Sequence, residues 1–268
     1  MPSQIYHSSF RLASSIYLLN SNNIHMFEKS HFLQLRGSVF TNQPITYNNE
    51  NISKLMELFA NYVPYLIANN IPNGLLPIPI ELQPWKLVSS QSSIEIVFNG
   101  NKIDILHTIG TIYNQQKLQE FADIVTGSVS KIVNTFSLEI NRVAFAPNYA
   151  LKISELGSLQ AFARKIFAKN IFDNESIDSC NFNAVFRVLK PIGKQNNVKV
   201  NFLAKFEEGS IVEHNQGSPD AIIPSLCFTF DINTYPVPGL KFDNDDISDF
   251  FAKSLVWNIE FADFYLKN

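Results

Sequence analysis

Residues 198–206 read VKVNFLAKF, and the alternation in this stretch indicates the fold class. Val198, Val200, Phe202 and Ala204 share one face, while lysine and asparagine side chains occupy the other. A period of two is typical of a β-strand that buries one face. We therefore predict a half-buried strand in an antiparallel sheet.

Two neighbouring stretches repeat this pattern. FNAVFRVLK, which begins at Phe182, alternates in the same way except at Val185 and Leu189, where apolar residues fall on the polar face. SLCFTFDIN, which begins at Ser225, also alternates. The turn-forming residues of PIGKQNN separate the first two stretches and predict a hairpin. The sequence thus predicts consecutive antiparallel strands at residues 181–190, 198–206 and 224–233.

The apolar spacing becomes helical after these strands. Residues 244–266 carry an apolar stripe with a period near 3.6, and Asp243 or Asn244 can cap the amino end of the predicted helix. The first half contains a matching block. Residues 94–106 form a predicted hairpin around Asn99-Gly100, and a helix is predicted over residues 114–135.

The order of predicted elements is similar in the two halves. The first half adds strands at 10–20 and 31–41, a helix at 51–68 and a strand at 82–90; the second half adds a strand at 138–151 and a helix at 154–169. We predict an α+β fold of two similar halves, each an antiparallel sheet covered by helices, with internal duplication as one explanation. The halves are residues 1–136 and 137–268, within one compact unit.

Composition and charge restrict the partners. The formal net charge is −3, and no basic stripe is visible, so charge does not support a nucleic-acid partner. No run of 18 or more apolar residues occurs, so we predict a soluble protein with no membrane partner. The amino terminus lacks the pattern of a secretion signal, and we expect a cytoplasmic location.

Familiar catalytic and ligand-binding motifs are missing. The sequence contains no GxxxxGK[ST], GxGxxG, GxSxG, HExxH or CxxC, and its five histidines are isolated from one another. We predict no catalytic residue, no metal and no cofactor, although a site assembled from distant residues stays open. The acidic residues near the start of the last helix are interpreted as partners of the helix dipole.

Two features are candidates for binding. Leu75, Leu76, Ile78 and Ile80 lie among prolines, which prevent a central strand, in a segment that is apolar for a linker. This segment either packs over the sheet or docks on a partner. In addition, Arg142 and Arg187 interrupt apolar strands, where a guanidinium pairs across the sheet or binds an anion.

A resemblance rests on WKLVS at residues 85–89, the hairpin and helix that follow, EINRVAFAPNYAL, FTFDINTYP, and the aromatic pair Phe250-Phe251 in the terminal helix. In these features, residues 80–268 look similar to a sporadically distributed family of bacterial proteins. The family carries no assigned activity. The resemblance implies a shared fold and a bacterial origin.

Three functional classes remain open. The missing motifs and the apolar segments favour a non-catalytic protein–protein interaction or assembly subunit, with a protein partner or self-association. One alternative is a small-ligand or peptide binder that uses a cavity between the sheet and the terminal helix. A second alternative is a nucleic-acid-associated factor or an enzyme with a dispersed site.

Overall fold

The computed structural model describes residues 26–67, 79–166, 181–213 and 219–266. Within these ranges the chain forms five α-helices and ten β-strands. The helices are α1 (Asn49–Leu58), α2 (Gln115–Phe136), α3 (Ile153–Leu156), α4 (Leu159–Ile166) and α5 (Asn244–Leu266). The strands are β1 (His31–Thr41), β2 (Tyr62–Leu66), β3 (Trp85–Ser89), β4 (Ile94–Asn99), β5 (Lys102–Thr108), β6 (Ile140–Phe145), β7 (Asn148–Lys152), β8 (Phe182–Ile192), β9 (Gln195–Glu213) and β10 (Ala221–Thr234).

All ten strands belong to one antiparallel sheet. Its order is β2-β3-β4-β5-β1-β6-β10-β9-β8, and β7 continues the path of β6 between β1 and β10. The strands of the first and second halves therefore meet where β1 pairs with β6 and β7. Among the described strands, β2 and β8 lie at the edges of the sheet.

The long helices α2 and α5 pack against each other and against the centre of the sheet. Their apolar faces, together with the alternate residues of the strands, form one continuous core. A close approach occurs at Gly37 of β1, where an added Cβ would lie 2.6 Å from a methyl group of Val125 in α2. Glycine at this position lets the helix lie directly on the strand.

Several sequence predictions are confirmed. The predicted strand 31–41 and the predicted helix 244–266 have the same bounds as β1 and α5, and α2 begins and ends within one residue of its prediction. The predicted strands near 181–190, 198–206 and 224–233 are β8, β9 and β10, which pair antiparallel. The predicted strand 10–20 lies outside the described residues.

The predicted helix 51–68 is wrong in its second half. Helix α1 ends at Leu58, and residues 62–66 form the edge strand β2. Pro64 explains the difference, because proline has no N–H to donate and its ring clashes with the preceding helical turn. An edge strand tolerates the missing donor.

Two elements in the second half are interrupted. The predicted helix 154–169 is divided into α3 and α4 at Gly157, which has a φ of +78°, and its last residues lie outside the described ranges. The predicted strand 138–151 is divided into β6 and β7 around Ala146-Pro147. A positive φ interrupts a helix, and Pro147 has no N–H to donate at a position between two neighbouring strands.

Candidate interaction edge and groove

Strand β8 forms one edge of the sheet and carries exposed apolar side chains on both faces. Among the described strands it pairs only with β9. Val185 and Leu189 are 56% and 60% exposed on one face, and Phe186 and Val188 are exposed on the other. A long apolar edge strand offers its unpaired backbone groups to another chain.

An apolar groove adjoins this edge on the helix-covered side of the sheet. It has a volume of about 380 Å³ and is lined by Phe186, Val188, Lys190, Phe202, Trp257, Glu260, Phe261 and Phe264. Strands β8 and β9 supply one wall, and the second half of α5 supplies the other. Phe264 is 73% exposed, so the groove opens to solvent.

Aromatic contacts fix the shape of the groove. The ring of Phe202 lies edge-on to Trp257 and Phe261, with centroids 5.8 and 5.6 Å apart. Phe186 meets Phe261 in the same manner at 6.1 Å. At the rim, Lys190 Nζ lies 5.5 Å from the centre of the Trp257 ring. These edge-to-face pairs fix the aromatic rings that form the apolar lining of the groove, next to the ammonium group of Lys190.

The apolar segment predicted to bind lies mostly outside the described residues. Leu75, Leu76 and Ile78 fall there, and their docking stays a prediction. Ile80 begins a short 3-10 turn, Ile80–Leu82, and is 47% exposed.

Arg142 and Arg187 lie on the sheet face opposite the helices, in one hydrogen-bonded network. Arg142 Nη2 donates to Asn233 Oδ1 at 2.9 Å, and Arg187 Nε donates to Asn201 Oδ1 at 2.8 Å. Asn201 Nδ2 donates to the same Asn233 oxygen at 3.0 Å. The network therefore crosses four adjacent strands, β6, β10, β9 and β8.

Asp231 extends this network and has a perturbed acidity. Its Oδ1 accepts a hydrogen bond from Asn233 Nδ2 at 2.9 Å. Burial raises the pKa of the Asp231 carboxyl, while Asn233, Arg142 and two further cations act in the opposite direction. A carboxylate under guanidinium groups orients the network and reduces its positive charge.

The acidic residues at the start of α5 organise a turn. Asp243 Oδ1 accepts from the Asp246 N–H at 2.9 Å, and Asp246 Oδ2 accepts from the Asp243 N–H at 3.2 Å. Asp246 Oδ1 and Asp249 Oδ2 also accept the backbone N–H groups of Lys194 and Gly193. These carboxylates cap the helix and hold the β8–β9 turn against it.

In the described ranges, no three or more His, Cys, Asp or Glu side chains are grouped so as to hold a metal ion.

Sequence reasoning did not identify the groove residues. Phe202 and Trp257 follow core patterns, and nothing local distinguishes them from other buried aromatic residues. The apolar exception at Val185 and Leu189 was a signal for the neighbouring edge and not for the groove, because a strand that is apolar on both faces either lies inside a protein or is an exposed edge.

No protein-family model matches this chain, and no curated protein matches it in sequence. Within the described residues, no helix combines the length and apolar character needed to cross a membrane.

Proposed function

We propose that this chain is a non-catalytic assembly subunit that associates through β8, and that its partner there is a second copy of the chain. The observation that carries the proposal is the exposed edge strand with apolar side chains on both faces. Strand addition joins two sheets through backbone hydrogen bonds, and the flanking side chains give the contact its specificity.

The exposed side chains are arranged symmetrically about Arg187, the central residue of β8. Two copies of β8 that pair antiparallel about this residue place Val185 opposite Leu189 of the second copy. The same register places Phe186 opposite Val188. An interface with two-fold symmetry requires a self-complementary surface of this kind.

In this register the two copies of Arg187 lie opposite each other at the symmetry axis, and the repulsion between their like charges is the main unfavourable contribution to pairing. The Arg187 side chain is directed away from the edge, since its Nε binds Asn201 on β9. Its guanidinium carbon lies 3.9 Å from the centre of the Tyr235 ring, which follows β10. These contacts separate the two guanidinium groups and reduce their repulsion.

Light scattering on a matched pair of variants tests the association. Leu189→Glu places a charge in the β8 contact, whereas Ile112→Glu changes a residue of similar exposure, 58%, away from this edge. We expect twice the chain mass of 30.4 kDa for the wild type and for Ile112→Glu. Leu189→Glu should give the single-chain mass and still unfold cooperatively, with a melting temperature that no longer depends on protein concentration. A wild type that is monomeric at every concentration would contradict the proposal.

The groove favours a second function, the binding of a small apolar ligand. Five aromatic side chains line it, and Lys190 stands at its rim. Glu260 also lines the groove, so the site suits an apolar ligand whose one negative charge lies beside Lys190 and away from Glu260. Anilinonaphthalenesulfonate is a suitable probe, because the dye should quench the fluorescence of Trp257. We expect Phe264→Ser to abolish the quenching, and an unchanged signal in this variant would exclude the groove as the dye's site.

We also infer that the two halves arose by duplication. Among the described strands of each half, the first one pairs with the last one: β1 with β5, and β6, continued by β7, with β10. In each half a long helix, α2 or α5, follows the last strand. This equivalence supports the inference, and an alignment of related sequences tests it, because a profile of the first half should align with the second half element by element.

A further inference from the structure

The sheet face opposite the helices carries a row of alternating cations and aromatic rings. Lys102 of β5 pairs with Phe40 of β1, and Phe40 pairs with Arg142 of β6. Tyr235 follows β10 directly, and its N–H donates to the carbonyl oxygen of Lys199 on β9 at 2.7 Å. The row therefore crosses five neighbouring strand positions, a distance of about 19 Å. We call it the cation–aromatic row.

Each ring of the row is contacted by two cations. Lys102 Nζ and the guanidinium carbon of Arg142 lie 5.7 and 4.6 Å from the centre of the Phe40 ring. Lys199 Nζ and the guanidinium carbon of Arg187 lie 6.0 and 3.9 Å from the centre of the Tyr235 ring. Both rings are half-buried, and no described helix packs on this face.

The positive charge of this face contrasts with the whole chain. The row and its immediate neighbours contain five cations, Arg36, Lys102, Arg142, Arg187 and Lys199, and two carboxylates, Asp104 and Asp231. The formal net charge of the chain is −3. The Nε atoms of Arg36 and Arg142 are buried and have no hydrogen-bond partner among the described residues. The face is thus a local positive patch on an acidic protein.

We propose that the cation–aromatic row binds single-stranded nucleic acid. The lysine and arginine groups would contact phosphates, and unpaired bases would stack on the guanidinium planes, which the two rings support from below. A flat face that is several strands wide suits a polymer better than a small molecule. An acidic peptide would use the cations alone, whereas the alternation of cations with rings matches the alternation of phosphates with bases.

Fluorescence anisotropy with a labelled oligo(dT) of about 20 nucleotides measures this binding. At physiological salt, about 150 mM, we expect a dissociation constant between about 1 and 100 µM, as for binding that does not depend on sequence. Four phosphate contacts predict that binding weakens roughly fiftyfold when the salt is raised from about 50 to about 200 mM. A duplex of the same length should bind less tightly, because its paired bases are not available for stacking.

Two matched pairs of variants locate the site. Lys199→Glu and Lys131→Glu make the same change in charge at exposed lysines that each lie about 6 Å from a ring, but Lys131 lies on α2, on the other side of the sheet. Tyr235→Leu and Phe136→Leu each remove a half-buried ring that lies near a lysine. We expect Lys199→Glu and Tyr235→Leu each to weaken binding about tenfold, with the two control variants unchanged.

Several outcomes would overturn the proposal. These are no binding of oligo(dT) at about 100 µM protein, equal losses for Lys199→Glu and Lys131→Glu, or no loss for Tyr235→Leu. Tighter binding of the duplex would also overturn it. The same holds for a labelled polyglutamate peptide that binds as tightly as oligo(dT), since this result would assign the row to acidic peptides. Thermal melting of each variant establishes that it is folded.

Discussion

At the scale of single residues, Gly193 connects the β8–β9 turn to the amino end of α5. It has a φ of +50°, and an added Cβ would lie 2.8 Å from the Cα of Asp246. Asp246 is buried and accepts the Lys194 N–H at 2.8 Å. A side chain at position 193 would therefore displace the carboxylate that holds this turn.

A matched pair of glycine variants measures this contact. Gly100 has a similar φ of +56°, with no atom within 4 Å of an added Cβ. We expect Gly100→Ala to lower the free energy of unfolding by about 1 kcal/mol through backbone strain alone. Gly193→Ala should cost about 2 kcal/mol more, because crowding is added to strain. Urea unfolding gives both values, and equal losses would show that the contact with Asp246 contributes nothing.

At the scale of elements, the periodicity of apolar residues predicted the bounds of those helices and strands that depend mainly on local interactions. The bounds of β1 and α5 follow from patterns of apolar residues that need no knowledge of distant neighbours. The predicted helix 51–68 is wrong because its apolar stripe continues past Pro64, and proline in a helix lacks the N–H donor and clashes with the preceding turn. At Pro64 and at Gly157, the backbone preference of one residue therefore outweighs the periodicity of its neighbours.

Periodicity does not show which strands pair with one another in the sheet. Arg142 and Arg187 were predicted as binding residues because arginine is unusual in an apolar strand. That both belong to one network depends on the strand order β6-β10-β9-β8, which places distant parts of the chain side by side. A cavity between the sheet and the terminal helix was one predicted alternative, but its residues were not predicted, since α5 and β8 form its walls only after the sheet is assembled.

At the scale of the whole molecule, one sheet joins the two halves and has two different faces. The helices cover one face, and the other presents the network of Arg142 and Arg187. Strand β8 is the last described strand at its end of the sheet, and its exposed apolar residues are the feature that a second copy would cover. We expect two copies of the chain to associate through this edge.

Disulfide cross-linking measures that association and its register most directly. We would replace Cys180 and Cys227 by serine and introduce cysteine at Val185 and Leu189. In the register centred on Arg187, these positions face each other across the two copies with Cβ atoms about 5 Å apart, within reach of a disulfide after a small adjustment. The double variant should form a covalent dimer on oxidation. Val185→Cys alone should not, because its symmetry mate lies about 13 Å away. A covalent dimer from the single variant, or none from the double variant, would contradict the account.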